Sequence, residues 1–378
     1  MNAPIYLDYN ATTPVDPRVL EAMLPWLGEG FGNPSSDHAH GKRAKAAVET
    51  ARTQVGALIG ATPGEIVFTA CATEANNLAI LGVASALEGS GRTGLMYSAV
   101  EHPAVAKPMQ HLAGRGWRGE VIPVDGTGRV TADALVIPPD IALVSVMLAN
   151  NEVGTLQPIR AIADAAHAAG ALMHVDAAQA AGKIHVDANE LGADLLTLAG
   201  HKMYAPKGVG ALYVRAGTPI RPIQFGAGHE GGLRPGTENV PHIVALGEAA
   251  QVALEELATE FPRIHALRDN LHRRLAQAIP GLALNGHEKE RLPNTLNVSF
   301  PGVAGWKLLA TTTAVAASTG SACHAGHHAA SGVLGAMGLS AERAAGAVRL
   351  SLGRFTTESE IHLAAGALIA AWQATRRS

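Results

Sequence analysis

Residues 171–176 read ALMHVD, and residues 194–202 read DLLTLAGHK. Each is a short apolar run that closes on polar residues: Asp176 in the first, and His201-Lys202 beyond Gly200 in the second. Runs of this length, bounded by such signals, predict strands buried on both faces, as in a largely parallel sheet covered on both sides. Working outward, EIVFTA (65–70), GLMYSAV (94–100), residues 119–124, IALVSVML (141–148) and VGALYV (209–214) predict further strands. Helical stretches are expected over 41–59, 73–87, 102–113 and 159–169. In the first of these, Ala44, Ala47, Val48, Ala51, Val55, Leu58 and Ile59 recur at spacings of three and four, and Gly60 ends it. The alternation predicts an α/β domain over residues 13–260. From 241 to 279 a long helical region is expected, interrupted near Pro262, with Val244, Leu246, Ala250, Leu254, Leu257, Ile264, Leu267 and Leu271 on its apolar side. Strand 295–300, helix 304–311, a Ser/Gly/His-rich loop 318–332, strand 347–352 and helix 358–373 predict a smaller α+β domain over 261–378, joined by the N-terminal segment 1–12.

The chain has 378 residues, with 29 Lys or Arg against 32 Asp or Glu, a formal net charge of −3. That length suits two or three folded units. A hydrophobic share of 47% excludes a disordered chain. The charged share of 16% is well below the ~25% usual in globular domains, and 42 glycines exceed the usual proportion. Few charges and many glycines predict extensive buried surface and close backbone approaches. The near-neutral balance gives no footprint for nucleic acid or an anionic membrane, and no apolar run is long enough to span a bilayer. Residues Met1–Asp8 show no basic region followed by an apolar stretch. Two cysteines, Cys71 and Cys323, cannot make a disulfide framework at this size. A soluble, cytoplasmic enzyme is the expectation.

Open α/β sheets bind ligands at the carboxyl ends of their strands. Asp176 ends one such strand and Lys202 follows another, so the two are candidates for a shared site; read singly, they also fit a structural ion pair or a surface lysine beside a turn. The third element is the turn from EIVFTA through Cys71, Ala72, Thr73 and Glu74 into a helix. Backbone N–H groups and the Thr73 hydroxyl at a helix N-terminus make a ready anion site, although a threonine there is commonly a plain N-cap. A helix end for a phosphate, a lysine for a Schiff base and a carboxylate for a ring nitrogen are together what pyridoxal 5′-phosphate needs.

Further motifs follow in order: YLDYNATTP (6–14), GNPSS (32–36), ATE (72–74), EH (101–102), NNE (150–152), HVDA (174–177), GHK (200–202), RPGTEN (234–239), GSAC (320–323) and RLSLGR (349–354). Each alone is weak. As an ordered set over nearly the whole chain, they resemble the cysteine desulfurase and selenocysteine lyase family, in the class V aminotransferase branch of the fold-type-I pyridoxal phosphate enzymes. The resemblance implies a mostly parallel seven-stranded sheet with a smaller α+β domain, a homodimer, and L-cysteine or L-selenocysteine as substrate. It also implies a sulfur-acceptor protein, as in iron–sulfur cluster assembly.

By the same resemblance, Lys202 is the Schiff-base lysine and the base that moves the α-proton. Asp176 pairs with the ring nitrogen, His102 stacks on the ring, and Gln179 donates to the phenolic oxygen. Asn151 contacts cofactor and substrate. Ala72, Thr73 and His201 lie at the phosphate, and Thr237 reaches it from the second subunit. Arg349 is the clamp for the substrate carboxylate, a task suited to a planar bidentate donor, with Arg354 a second candidate and Asn10 another substrate contact. Read alone, His102 before Pro103 is a helix cap.

Cys323 resembles the nucleophile that takes the substrate sulfur as a persulfide. It lies in STGSACHAGHH (318–328), where neighbouring imidazoles lower a thiol's pKa; a metal site on Cys323, His324, His327 and His328 is the rival reading, against which the irregular spacing weighs. Cys71 is expected to pack as a small apolar residue. Ala199 stands where many relatives carry a serine that bonds the phosphate. RPGTEN and Ala322-Cys323-His324 lean toward the selenocysteine lyases, and Pro103 toward the desulfurases. A catalytically silent sulfur- or metal-handling scaffold is the alternative from outside enzymology, and an aminotransferase using the same cofactor is a further one.

Overall fold

Seven strands form the central sheet, in the spatial order Ile66–Thr69, Gly210–Val214, Leu195–Ala199, Leu172–Asp176, Ile141–Met147, Gly94–Ser98 and Arg118–Ile122. The computed structural model describes residues 3–320 and 331–376. The strands from Leu195–Ala199 to Arg118–Ile122 are all parallel. Gly210–Val214 runs antiparallel to both its neighbours. Residues 200–209 are too few for the crossover a parallel pair requires, so the chain turns straight back. Alternate side chains point to the two faces: Leu196 and Val144 enter one core, Leu195 and Leu143 the other. Helices Ala39–Leu58 and Ile159–Ala168 supply the first core, and helices Ala72–Ala86 and Pro103–Ala113 the second.

A second sheet of three antiparallel strands, Ala347–Ser351, Thr295–Ser299 and Ala283–Asn285, has its own core around Leu296, Val298, Leu350 and Trp372. Helix Glu358–Thr375 packs there. Strand Ile5–Tyr6 pairs with Val315–Ala316, and Leu7 is buried in this same core.

Helix Val240–Ala278 spans the two, with Ile243, Leu246 and Ala250 in the first and Ile264, Leu271 and Leu275 in the second. The expected interruption at Pro262 is corrected: the helix runs through it. A proline removes one helical hydrogen bond, but packing on both sides holds the axis, and the flanking Leu254 and Phe261 are exposed. Leu254 is thereby removed from the expected apolar side. Helix Pro17–Leu27 was not anticipated, because it contains Pro17 and Pro25; Pro17 sits in its first turn, where no N–H is needed, and Asp16 caps it.

One buried ion pair fixes the loop that leads to residues 234–239. Arg52, within helix Ala39–Leu58, donates from both terminal nitrogens to Glu230, at 2.7 and 2.9 Å. Arg52 also donates to the Ile66 carbonyl at 2.7 Å, and Glu230 accepts from the Phe68 N–H at 2.8 Å. Both residues are buried. Arg52→Met therefore leaves a buried carboxylate without its cation, and a loss of about 3–5 kcal/mol is expected in denaturant unfolding. A loss under about 1 kcal/mol would mean the pair is solvated in solution.

Candidate active site

Several strand ends converge at one edge of the main sheet. Met147 pairs with Asp176, and Asp176 with Thr197, across parallel neighbours. Gly210 pairs with both Ala199 and Thr69. A Cβ at Gly210 would lie 2.8 Å from Cys71 and from the Leu198 carbonyl, and 3.0 Å from the Ala72 nitrogen. Glycine there lets the start of helix Ala72–Ala86 sit tightly against the strand ends.

The resulting cavity has a volume of about 290 Å³. Asp176, Lys202, Gln179 and His102 line it, with Ala72, Thr73 and His201 at the helix end and Asn10, Asn151 and Arg349 opposite. Asp176 is the last residue of its strand, and its carboxylate accepts from Asn76 Nδ2 at 2.8 Å and the Ala178 N–H at 2.9 Å. Lys202 ends a short 3₁₀ turn, and its Nζ donates to the carbonyls of Asn10 at 2.5 Å and Ala11 at 2.7 Å. Burial above all, helped by the Arg349 cation and opposed by Asp8 and Asp176, pulls the Lys202 amine down to about 8. Gln179 Nε2 donates to the same Asn10 carbonyl at 2.9 Å.

His102 caps helix Pro103–Ala113: its Nδ1 accepts from the Ala104 N–H at 3.1 Å, which assigns any ring hydrogen to Nε2. Burial lowers its pKa, with Asp176 opposing and Lys202 adding to the shift. His201 Nδ1 lies 3.2 Å from the Thr12 hydroxyl, and burial, with Lys202, Lys207 and Lys183 nearby, brings it down to about 4. Arg349 donates to Asp8 Oδ1 at 2.8 Å and to the Asn151 carbonyl at 2.9 Å, and its buried Nε has no partner among the described residues. The Asn10 amide is engaged by protein: Nδ2 donates to Thr295 Oγ1 at 2.8 Å, and Oδ1 accepts from Asn294 at 3.0 Å.

Three readings change. Thr73 is the second residue of its helix and not the cap; Cys71 holds that position, without a side-chain cap bond. Cys71 is only partly buried and lines the cavity instead of packing in a core. Arg354 lies outside the cavity: its Nη1 bonds Asp16 at 2.6 Å, its Nε pairs with Glu256 at 3.0 Å, and its guanidinium sits over the Tyr204 ring. Thr237 is exposed and away from the cavity, although Arg234 ties its segment to Glu74 at 3.0 Å. Cys323 and the histidines 324–328 lie outside the described residues.

Asn76, Asp8 and Lys183 were not anticipated. Asn76 follows Thr73 by three residues, a same-face helical spacing that could have signalled it. Asp8 lies in the YLDYNATTP motif itself. Among the described residues, no group of three or more His, Cys, Asp or Glu could hold a metal ion, and no helix is long and apolar enough to cross a membrane.

The sequence profile of the family described as "Aminotransferase class-V" matches residues 5–363. The chain belongs to that family. It is 47% identical over 366 residues to "Cysteine desulfurase IscS" of Anaeromyxobacter sp. (strain Fw109-5), covering 96% of this chain and 90% of the relative. Among solved structures, a "NIFS-LIKE PROTEIN" superposes with a TM-score of 0.92 at 38% identity, covering 98% of this chain and 99% of the other. A structure described as "SspA in complex with cysteine" matches with a TM-score of 0.81 at 34% identity, covering 93% and 99%. Within the class-V family the chain is an enzyme of the cysteine desulfurase type.

Proposed function

We propose that this enzyme takes the sulfur from L-cysteine and releases L-alanine, with pyridoxal 5′-phosphate held in the cavity around Lys202. The observation that carries the reading is the joint lining of one cavity by Lys202, the Asp176 carboxylate and the first turn of helix Ala72–Ala86. That donor set fits the cofactor. The first-turn N–H groups and the Thr73 hydroxyl stand at the positive end of the helix dipole and suit a phosphate. Ala199 offers no hydroxyl, so His201 and Thr73, which line the cavity there, would supply the side-chain contacts on that side. Asp176, held in place by Asn76 and Ala178, suits a protonated ring nitrogen, and beside it the buried Asn76 Oδ1 has no partner among the described residues. The His102 ring suits stacking, and Gln179 Nε2 suits the phenolic oxygen.

When bound, the cofactor supplies an electron sink for the charge left at the substrate α-carbon. Lys202 would hold the cofactor and would move the substrate's α-proton; its lowered pKa keeps part of it neutral near pH 7. Asp176 keeps the ring nitrogen protonated. Arg349 binds the substrate carboxylate, with its free Nε–H available to an anion, and Asn151 lies beside it. Cys323 receives the sulfur. In support, the segment that holds it leaves and rejoins the described chain at the site: Ser318 pairs with Arg349, Gly320 packs on Glu152, and Ser331 donates to Glu152 at 2.6 Å. The exposure of Thr237, outside its own cavity, fits a residue that completes the cavity of a second copy in a homodimer.

The test is product analysis with purified, cofactor-loaded protein and L-cysteine, with L-selenocysteine in parallel. Alanine and sulfide in equal amounts, in the presence of a thiol reductant, are expected from cysteine. Loaded protein that forms no alanine from cysteine would overturn the reading.

A further inference from the structure

Behind Gln179, on the side away from the cavity, lies a lysine with no part in the reaction outlined above. Lys183 Nζ donates to Gln179 Oε1 at 2.7 Å and reaches Asn10 Oδ1 at 3.4 Å. Its stem borders a small separate void of about 40 Å³, with Tyr204, Leu257 and Asn294. The chain therefore encloses a lysine amine whose two acceptors, Gln179 and Asn10, both belong to the cavity wall.

We propose that Lys183 is a positioning residue that holds the Gln179 amide in one of its two orientations, with Nε2 toward the Lys202 side and Oε1 turned away. An amide side chain can present either its oxygen or its NH₂ to a given neighbour, and only the surrounding bonds decide which. On one side of Gln179 stands the Asn10 carbonyl, which accepts only. On the other stands the Lys183 amine, which donates in either protonation state. A flipped amide would set its oxygen against the Asn10 carbonyl, which has no hydrogen to give, and would take from the Lys183 N–H the oxygen that accepts it. Asn10 closes the arrangement, because its carbonyl also receives Lys202 Nζ. Gln179, Lys202 and Lys183 are thus held around one asparagine. Burial, with the nearby Lys202 and Arg349 cations, drives the Lys183 amine well below the usual lysine range.

The inference rests on the reading of Gln179 as donor to the cofactor's phenolic oxygen. On that reading, loss of the donor leaves the oxygen more basic, and the proton it shares with the Lys202 nitrogen is held to higher pH. The experiment is a pH titration of the visible absorbance of the holoenzyme, with no substrate present, for wild type, Lys183→Met, Gln179→Leu and the double variant. Gln179→Leu is expected to raise the spectroscopic midpoint by about one pH unit, the scale of one hydrogen bond to a charged oxygen. Lys183→Met is expected to move it the same way by at least half as much, and the double variant no further than Gln179→Leu alone. The Met side chain fills the same stem volume; if that variant does not fold, Lys183→Leu serves in the same comparison. A shift in Gln179→Leu with none in Lys183→Met would overturn the positioning role. Shifts that simply add in the double variant would also overturn it, because Lys183 would then act independently of Gln179. An unchanged midpoint in Gln179→Leu would instead overturn the reading of Gln179 itself.

Discussion

Lys202→Ala abolishes both turnover and covalent retention of the cofactor, with activity expected to fall by more than about 10⁴-fold, because a nucleophilic and a proton-transfer role are lost together. Lys202 follows the strand Leu195–Ala199 through a single 3₁₀ turn and faces the cavity lined by Asp176. Only a neutral amine can attack the cofactor's aldehyde. With its pKa drawn down to about 8, roughly a tenth of the Lys202 amines are neutral at pH 7, against fewer than about one in a thousand for an ordinary lysine. Wild-type apoenzyme should therefore capture the cofactor faster as the pH rises toward 8 and level off above it, since the reactive form accumulates as the proton leaves. The fold should survive the substitution, because Nζ bonds only two backbone carbonyls, of Asn10 and Ala11, and Asn10 remains anchored by Thr295, Asn294 and the Ser351 hydroxyl. The check is borohydride reduction of loaded protein followed by peptide mass analysis. A label on the Lys202 peptide in wild type and none in the variant is expected; a variant that is still labelled and still turns over would remove Lys202 from its role.

The site was legible where chemistry and chain continuity coincide. Asp176 ends its strand, and Lys202 and Thr73 lie three and four residues past the ends of theirs, so an apolar run giving way to polar residues marked all three, and the sheet brought the ends together. The supporting partners that come from distant segments were not legible, because tertiary packing alone joins them. Asp8 meets Arg349 only because strand Ala347–Ser351 lies beside the N-terminal segment, through the Asp8–Ser351 bridge. The Asn10 carbonyl that gathers Gln179 and Lys202 belongs to residues far away in sequence. Arg354 misled for a local reason. Arg349 lies within the strand and faces the cavity, whereas Arg354 lies past its end, beyond Gly353, whose Cα packs so closely on the Tyr9 ring that a Cβ would collide with it. The turned chain delivers Arg354 to Asp16 and Tyr204. The helix through Pro262 shows the same limit: a local breaker was overruled by two cores that no window of sequence reveals.

Cys323→Ala should separate the two possible substrates, with nearly complete loss on cysteine, full retention of the bound cofactor, and measurable selenide release from selenocysteine. A thiolate is a poor leaving group unless something accepts the sulfur. If the Cys323 thiolate attacks, a sulfur–sulfur bond forms as the substrate's carbon–sulfur bond breaks. The bonding pair then stays with the carbon skeleton that leaves as alanine, and the enzyme is left as the persulfide until a thiol or acceptor protein removes the sulfur. A selenol is already ionised at neutral pH, and its bond to carbon is weaker, so the selenolate can shed its selenium as Se(0) without an attacking thiolate: the bonding pair stays with the carbon skeleton that leaves as alanine, and the thiol reductant in the assay reduces the Se(0) to selenide. Cofactor retention should be unaffected because the residues that would hold the cofactor, in helix Ala72–Ala86 and at Asp176, Gln179 and Lys202, all come from elsewhere in the chain. The measurements are alanine formed from each amino acid and the visible spectrum of the purified variant. Undiminished alanine from cysteine would show that another group, with the cavity-lining Cys71 the first to examine, receives the sulfur. Equal losses on both substrates would mean that the thiol also serves selenium, and that the difference between the two leaving groups does not govern this enzyme.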